Sequence, residues 1–254
     1  MDNIVKTKVG IIGTGKVGTD LLLKVLKSPY LECVIFAGLR EDSPGIALAK
    51  SLNVNTSTKS IKAIIKSEAS IVFDATTANS HKHNFPLLKD LFVIDLTPSK
   101  MGSFCVPELN IDEVLEKNEV SLISCGAQVV IPRIAKLKNK GLAYVEVVTT
   151  VASDSAGVGT RDNMSQYLNT TAEAITRFFG IPAKAIFIIN PAKPPVQMFN
   201  TIYIQYGDRT EVIQFHVKGR GDYLKIWEGN LDVINMAAVK VAEEYAKTHE
   251  SHSN

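Results

Sequence analysis

Short apolar runs alternate with stretches of helical periodicity over the first half of the chain. The runs are rich in Val, Ile and Phe, as expected for strands that are buried on both faces. Between them, apolar residues recur at helical spacing, for example in Val17–Leu26. This alternation is typical of βαβ units and predicts a parallel sheet with helices on both faces. The predicted strands are Val9–Ile12, Leu31–Ala37, Ile71–Asp74, Phe92–Leu96 and Val120–Ser124.

The pattern changes after Pro132, where strand-like runs follow one another and only one long helical segment, Arg161–Phe179, interrupts them. The last two runs are joined by Gly207-Asp208-Arg209, a short connection that suits a hairpin. We therefore predict an α+β region with a partly antiparallel sheet, followed by a final helix over Asn230–Lys247. The strands predicted in this region are Tyr144–Val151, Lys184–Ile189, Thr201–Tyr206 and Glu211–Lys218.

A glycine-rich turn, Gly13-Thr14-Gly15-Lys16-Val17-Gly18, follows the first predicted strand and opens a predicted helix. In this context Gly13 permits a tight turn, Gly15 lets the backbone approach a pyrophosphate, and Gly18 lets the helix and strand pack closely. The helix N-terminus offers free N–H groups to the anion. The turn therefore predicts a dinucleotide site.

Together these features predict an α/β protein with a Rossmann-type doubly wound parallel sheet and a second, α+β domain. We expect the dinucleotide-binding domain to cover residues 1–130. The α+β domain is expected to cover residues 131–229, with the C-terminal helix, residues 230–254, returning to the first domain.

Composition narrows the class of protein further. The chain has 254 residues, 45% of them apolar, and a formal charge of +2 without a basic stripe, so we expect a small-molecule substrate and no nucleic acid partner. No apolar stretch approaches the roughly 20 residues of a membrane helix, and no export signal precedes the first strand. The three cysteines lack the spacing of a zinc site or a disulfide framework. We expect a cytoplasmic protein with no membrane contact and no bound metal.

The end of the second strand normally carries an acidic residue that binds the ribose 2′-hydroxyl of NAD. Here Arg40 and Ser43 stand in that region, and they predict binding of a 2′-phosphate, which favours NADP. The alternative is that Arg40 is a solvated loop charge and that Glu41 or Asp42 binds the ribose.

Cys125 is the candidate nucleophile, because it follows a predicted strand at the end where open α/β sheets bind ligands. It also precedes a short helical stretch, and a helix N-terminus lowers the pKa of a nearby thiol. Residue chemistry alone favours a buried packing role, as we expect for Cys33 and Cys105.

Several stretches resemble the acylating acetaldehyde dehydrogenase family, whose enzymes interconvert an aldehyde plus coenzyme A with acyl-CoA. The resemblance runs from Lys8 to about Tyr206 and resumes over Leu224–Val241. The matching stretches are Val9–Asp20, Ile71–Thr76, Ile94–Pro98, Ser124–Gln128, Ser155–Arg161, Asn190–Pro195 and Gly229–Asp232.

The resemblance implies an acyl-thioester nucleophile at Cys125, an NAD or NADP cofactor and coenzyme A as co-substrate. It further implies that the α+β domain serves substrate binding and dimerisation, that the protein is a homo-oligomer, and that an aldolase-type enzyme is a partner. It places cofactor contacts at Thr14–Val17, at Asn230 and in a loop formed by Ser155, Ala156, Gly157, Val158, Gly159, Thr160, Arg161, Asp162 and Asn163. Without the resemblance, this loop is a strand-to-helix connection with Thr160 as N-cap. His81 also matches a family position, and we interpret it as the start of a helix rather than a base.

The chain departs from the family pattern in three places. Leu39-Arg40 replace the usual Ile-Asp, Asn200 occupies the position of an Asp thought to activate the cysteine, and the stretch from Tyr206 to Leu224 is shortened. An amide cannot accept a proton as a base, so we expect Asn200 to lie near Cys125 while activation depends on the helix N-terminus and backbone N–H groups.

Two alternatives to an acylating aldehyde dehydrogenase or acyl-CoA reductase stay open on the sequence. One is a cofactor-binding partner or regulator that has weakened catalysis, as Asn200 and the shortened region indicate. The other is a phosphate-dependent semialdehyde dehydrogenase, for which we find no convincing basic or histidine site for phosphate. Acyl-CoA-dependent oxidation of NAD(P)H distinguishes the enzyme from the binding protein.

Overall fold

A computed structural model describes residues 5–162 and 164–250 of the chain. The chain forms two compact units: the first runs to Leu122 and resumes at Asn235, and the second is Ile123–Ile234. The boundaries expected from the sequence, 130/131 and 229/230, differ from these by eight and five residues. Within the described ranges, no helix is both long enough and apolar enough to cross a bilayer.

The first unit contains a seven-stranded sheet in which every pair of neighbouring strands is parallel. The strand order is β3-β2-β1-β4-β5-β7-β6, which reverses direction between β1 and β4. This doubly wound order confirms the predicted Rossmann-type fold. The strands are β1 (Thr7–Ile12), β2 (Leu31–Ala37), β3 (Thr56–Ser57), β4 (Ile71–Asp74), β5 (Phe92–Asp95), β6 (Ser103–Phe104) and β7 (Glu119–Ser121).

Helices pack on this sheet through apolar stripes. In the first helix, Leu21, Leu22 and Val25 are fully buried, while Lys16 is exposed, which is the one-sided pattern that the sequence shows. The helices of this part of the chain are α1 (Lys16–Lys27), α2 (Pro44–Ser51), α3 (Ile61–Ile65), α4 (Ala78–Asn84) and α5 (Pro107–Val114).

The second unit contains a four-stranded mixed sheet in the order β11-β10-β8-β9. The β8/β9 pair is parallel, and β10 pairs antiparallel with both β8 and β11, as predicted. The elements are α6 (Cys125–Ala135), β8 (Tyr144–Ala152), α7 (Val158–Asp162), α8 (Met164–Phe179), β9 (Ala183–Asn190), β10 (Met198–Tyr206) and β11 (Arg209–Val217). The last helix, α9, is Gly229–Glu250.

The two faces of the mixed sheet carry different side chains. Phe187, Thr149 and Asn200 are direct neighbours across three strands and therefore share one face. Tyr203 and Val212, which pair on the opposite face, are exposed. The polar face with Thr149 and Asn200 is buried, and it provides part of the site described below.

Two element boundaries differ from the sequence prediction. The strand expected over Val120–Ser124 ends at Ser121, because Ile123 takes a left-handed backbone conformation with φ of 67°. The helical residues expected from Arg161 begin earlier, at Val158 in α7, and α8 covers Met164–Phe179. Short elements such as β3 and β6 have too few residues to leave a periodic pattern in the sequence.

Candidate active site

A cleft of about 1060 Å³ opens at the carboxyl ends of the strands in the first unit. Its walls come from the loops after β1, β2 and β4, so it lies where the strand order reverses. Doubly wound folds bind nucleotides at this position. Of the residues predicted to bind cofactor, the cleft is lined by Gly13, Thr14, Gly15, Arg40 and Ser43.

The glycine-rich turn has the backbone geometry that its sequence predicts. Gly13 has a φ of 106°, and a Cβ on Gly18 would lie 1.8 Å from the Gly13 carbonyl oxygen, so both positions require glycine. Gly15 faces open space and is the N-cap of α1, without a capping side chain. The first N–H groups of this helix of 12 residues therefore have no side-chain acceptor at the cap.

Arg40 and Ser43 are both engaged in local contacts at the cleft. Arg40 forms a two-point ion pair with Asp42, with N–O distances of 3.0 and 2.8 Å, and Ser43 Oγ donates to the Thr14 carbonyl. The expected donation from Ser43 to a phosphate therefore competes with an existing bond. Glu41 pairs with Lys50, and neither Glu41 nor Asp42 lines the cleft.

The charge of the cleft wall is positive. Arg40, Lys59 and Lys62 line it, and none of the described lining residues is Asp or Glu. The described lining therefore offers cationic side chains and no carboxylate.

The three cysteines differ in environment. Cys105 is fully buried, and burial raises its pKa to about 12. Burial also raises the pKa of Cys33, within β2, to about 12. Cys125 is half-buried and is the first residue of α6.

The turn that leads into α6 is fixed by hydroxyl contacts. Ser124 Oγ accepts from the Ala127 N–H at 3.0 Å and lies 2.7 Å from Thr171 Oγ1. Because the Thr171 hydroxyl donates to the Tyr167 carbonyl, the Ser124 hydroxyl must donate to Thr171. These bonds tie the start of α6 to α8, one turn beyond Tyr167.

The pKa of the Cys125 thiol contradicts the sequence expectation of a lowered value. Desolvation by the surrounding protein raises it to about 11, and hydrogen bonds from Tyr167 and from the N–H of Gly126 offset only part of that effect. The helix start alone therefore does not activate this thiol.

Tyr167 is the residue in contact with the reactive sulfur. Its hydroxyl lies 3.3 Å from Cys125 Sγ and accepts from the Gly126 N–H at 2.8 Å. Its hydroxyl lies beside that of Thr149, which donates to Asn200 Oδ1 at 2.8 Å. Asn200 is thus linked to Cys125 through two hydroxyl groups.

The predicted loop Ser155–Asn163 lies in the second unit, with Asn163 outside the described residues. Arg161 closes the loop on itself, because its guanidinium donates to the Ala156 carbonyl and to Ser153. Thr160 lies inside α7 and is not its N-cap. Asn230 is buried at the start of α9, and no described residue bonds to its Oδ1.

A buried charged cluster lies behind the cleft wall of the first unit. His81, in the middle of α4 and not at its start, places Nδ1 3.0 Å from Asp74 Oδ2 and Nε2 2.7 Å from Glu119 Oε1. Burial alone would lower the pKa of His81, but the bonds to Asp74 and Glu119 and the charge of Asp95 outweigh burial and raise that pKa to about 10. The imidazolium therefore joins the ends of β4 and β7.

This cluster positions part of the cleft. Thr76, which lines the cleft, donates its N–H to Asp74 Oδ1 at 3.0 Å. His81, Asp95 and Glu119 also have the spacing of a metal-ligand set, within 4.8 Å. Both ring nitrogens of His81, however, lie at hydrogen-bond distance from carboxylates, the arrangement expected of an imidazolium.

Sequence reasoning missed Tyr167, Thr149 and the partners of His81. Tyr167 and Thr171 are four residues apart on an amphipathic helix, which marks a shared face but not what that face meets. The alternation of side chains along β8 predicts which face of the sheet Thr149 lies on. Its hydrogen-bond partner, Asn200, depends on the register between β8 and β10, which the alternation does not give.

The doubly wound sheet with its cleft places the first unit in the Rossmann-type dinucleotide-binding class. The fold is similar to that of an aspartate semialdehyde dehydrogenase with NADP from Candida albicans, with a TM-score of 0.59 and 13% identity, and the match covers 81% of this chain and 73% of that one. It is also similar to that of a dipicolinate-bound dihydrodipicolinate reductase from Paenisporosarcina sp. TG-14, with a TM-score of 0.51 and 14% identity, and the match covers 94% of this chain and 96% of that one.

Sequence comparison narrows this class. Residues 125–225 match a family model described as prokaryotic acetaldehyde dehydrogenase, dimerisation. The acetaldehyde dehydrogenase of Pectobacterium atrosepticum is 38% identical, with 94% of this chain and 95% of that relative covered. The acetaldehyde dehydrogenase of Geobacillus stearothermophilus is 38% identical, with 95% and 97% covered. The chain belongs to the acetaldehyde dehydrogenase family.

Proposed function

We propose that this protein is a CoA-acylating aldehyde dehydrogenase, or acyl-CoA reductase, that works through a thioester on Cys125. The single observation that carries the proposal is the setting of Cys125, a half-buried thiol at the start of α6 with a hydroxyl and a backbone N–H beside it. Membership of the acetaldehyde dehydrogenase family supports the same reading. Buried Cys105 and strand residue Cys33 offer no comparable setting.

In the oxidising direction, the Cys125 thiolate attacks the aldehyde carbonyl and a carbon–sulfur bond forms. The bound nicotinamide supplies the hydride acceptor, or the donor in the reverse direction. Loss of hydride leaves an acyl group on Sγ. The coenzyme A thiol then gives up its proton to solvent, and its sulfur displaces Cys125 and carries the acyl group away, which restores the thiolate.

For the cofactor we propose a nicotinamide dinucleotide in the cleft, with NADP tolerated or preferred over NAD. The turn at Gly13 and Gly15 has the geometry of a pyrophosphate site, and the cationic lining suits a 2′-phosphate. Lys16, Val17 and Gly18 belong to the same turn and first helical residues. Arg40 would exchange part of its bond to Asp42 for the phosphate.

In the second unit, we propose that Asn230 and the described loop residues Ser155–Asp162 contribute to cofactor binding. The support is the buried Oδ1 of Asn230, for which no partner is found among the described residues, since such an acceptor suits an amide donor. We also propose a homo-oligomer, because the matching family model describes a dimerisation region. The aldolase-type partner stays a prediction from the resemblance.

A second candidate function is a cofactor-binding protein with weakened catalysis. The observation in its favour is the thiol pKa of about 11 together with an amide, Asn200, at the end of the hydroxyl chain. Purified protein that oxidises NADPH or NADH only when an acyl-CoA is added supports the enzyme. Cofactor binding without turnover, at any pH up to the range where the thiol ionises, supports the binding protein.

A further inference from the structure

Cys125 is flanked by a hydroxyl group that has no role in the reaction as described above. Tyr167 is half-buried, and its ring packs against Phe187 with centroids 4.4 Å apart. This packing leaves the hydroxyl little freedom to leave the sulfur. A Cβ on Gly126 would lie 2.5 Å from this hydroxyl and 3.0 Å from Thr149 Oγ1, so glycine at 126 is what allows both oxygens to reach the start of α6.

We propose that Tyr167 is a catalytic residue that holds the Cys125 thiolate by donating its O–H to Sγ. Asn200 acts through Thr149 as a positioning residue. The inference rests on the proposed role of Cys125. The thiolate is thus stabilised by a neutral hydrogen-bond donor. Among the described residues, no carboxylate forms a hydrogen bond with the sulfur.

The hydrogen-bond directions support this assignment. The Tyr167 oxygen accepts from the Gly126 N–H, and its single proton has two acceptors within reach, Cys125 Sγ and Thr149 Oγ1. Thr149 uses its own proton on Asn200 Oδ1, so its lone pairs are available to Tyr167. While the sulfur is a thiol, the tyrosine proton can point to Thr149. When the thiol proton leaves to solvent, the same O–H rotates to the sulfur anion.

This arrangement does not need a base at the position of Asn200, behind the Tyr167 and Thr149 hydroxyl groups. Asn200 cannot take a proton, but its carbonyl fixes the direction of the Thr149 hydroxyl, which keeps an acceptor ready for the resting tyrosine. A charge-assisted bond to the thiolate opposes the desolvation that acts on a half-buried sulfur. In the proposed step, the released proton passes to solvent beside the half-buried Cys125.

The test is the pH dependence of Cys125 alkylation by iodoacetamide, followed by peptide mass spectrometry on the full chain. Tyr167→Phe removes the donor and keeps the ring, and we expect the apparent thiol pKa to rise by about one to two units. Tyr144→Phe removes a hydroxyl from β8 that bonds to Glu146, and it serves as the matched control with an unchanged thiol pKa. An unchanged or lower thiol pKa in Tyr167→Phe overturns the proposal.

Gly126→Ala is the second variant, for use if melting curves show that Tyr167→Phe does not fold. Its added methyl displaces the tyrosine hydroxyl while leaving it in the chain, and the thiol pKa should again rise. Alkylation needs neither aldehyde nor coenzyme A, so it decides the role of Tyr167 separately from the proposed function. In turnover, Tyr167→Phe should lower kcat about tenfold to hundredfold at neutral pH with KM little changed.

Discussion

At Cys125, two opposing effects act on one sulfur atom. Desolvation raises its pKa to about 11, while the Tyr167 hydroxyl and the Gly126 N–H favour the thiolate. On the sequence alone, the position of Cys125 at a helix start predicts a lowered pKa, which is the opposite direction. This error has a physical cause. The burial of Cys125 and the hydroxyl group beside it both depend on the packing of α8 against α6, and the local sequence around Cys125 does not encode that packing.

Asn200→Asp tests what a carboxylate does in this setting. The new group would be fully buried beside Thr149, so we expect repulsion to raise the apparent thiol pKa by about half a unit to one unit and no large gain in acyl-CoA reduction. Alkylation of Cys125 against pH measures this. Gln205→Glu, on the exposed side of the same strand, is the control. A lower thiol pKa, or a large gain in rate, would show that the chain is a weakened form of an acid-activated catalyst.

The proposed preference for NADP depends on Arg40. Arg40→Ala should weaken NADP binding about tenfold to hundredfold and leave NAD binding nearly unchanged, because only NADP carries the 2′-phosphate. Fluorescence titration with both reduced cofactors measures the difference, and Arg209→Ala in the second unit is the control. Equal or tighter NAD binding that does not change in Arg40→Ala contradicts the assignment.

At the element scale, a protonated histidine holds together the C-terminal ends of β4 and β5 and the first residue of β7. His81 bonds to Asp74 and Glu119, and Asp95 Oδ2 lies 3.7 Å from Nε2. Desolvation raises the pKa of Asp95 to about 7, although the charge of His81 and hydrogen bonds from Ser99 and Thr97 oppose that rise. The end of β4, where Asp74 accepts from the Thr76 N–H, thus depends on the buried proton of the His81 imidazolium.

This cluster predicts that the free energy of unfolding falls as pH rises. His81 has a pKa of about 10 in the folded protein against 6.5 as a free side chain, so its stabilisation is complete below pH 6.5 and is lost as pH approaches 10. Asp95, whose pKa is also raised, adds a loss between pH 3.8 and about 7. Urea denaturation at about pH 6.5 and about pH 9.5 measures the decline.

Variants separate this cluster from other titrating groups. His81→Asn should cost roughly 3–5 kcal/mol near neutral pH, because buried carboxylates lose their cation, and it should flatten the pH dependence above pH 6.5. His83→Asn changes an exposed histidine on the same helix and should keep the wild-type slope. A wild-type stability that is constant or rises over this pH range would contradict the role of His81.

At the scale of the whole molecule, periodicity in the sequence located the long strands of both sheets and the long helices α1, α8 and α9. It succeeded because these elements bury regular apolar stripes, as in α1 and β2. The glycine-rich turn was equally readable, since Gly13 and Gly18 have steric requirements that no other residue meets. Contacts between distant segments, such as Tyr167 with Cys125, required the structure.

The central claim is that Cys125 carries the acyl group, and intact-protein mass spectrometry after mixing with acetyl-CoA tests it most directly. We expect wild-type protein to gain the mass of one acetyl group, and Cys125→Ala to gain none, whereas Cys105→Ala behaves as wild type. Hydroxylamine should remove the added mass, as expected for a thioester. An adduct that persists in Cys125→Ala, or acyl-CoA turnover by that variant at the wild-type rate, would contradict the account.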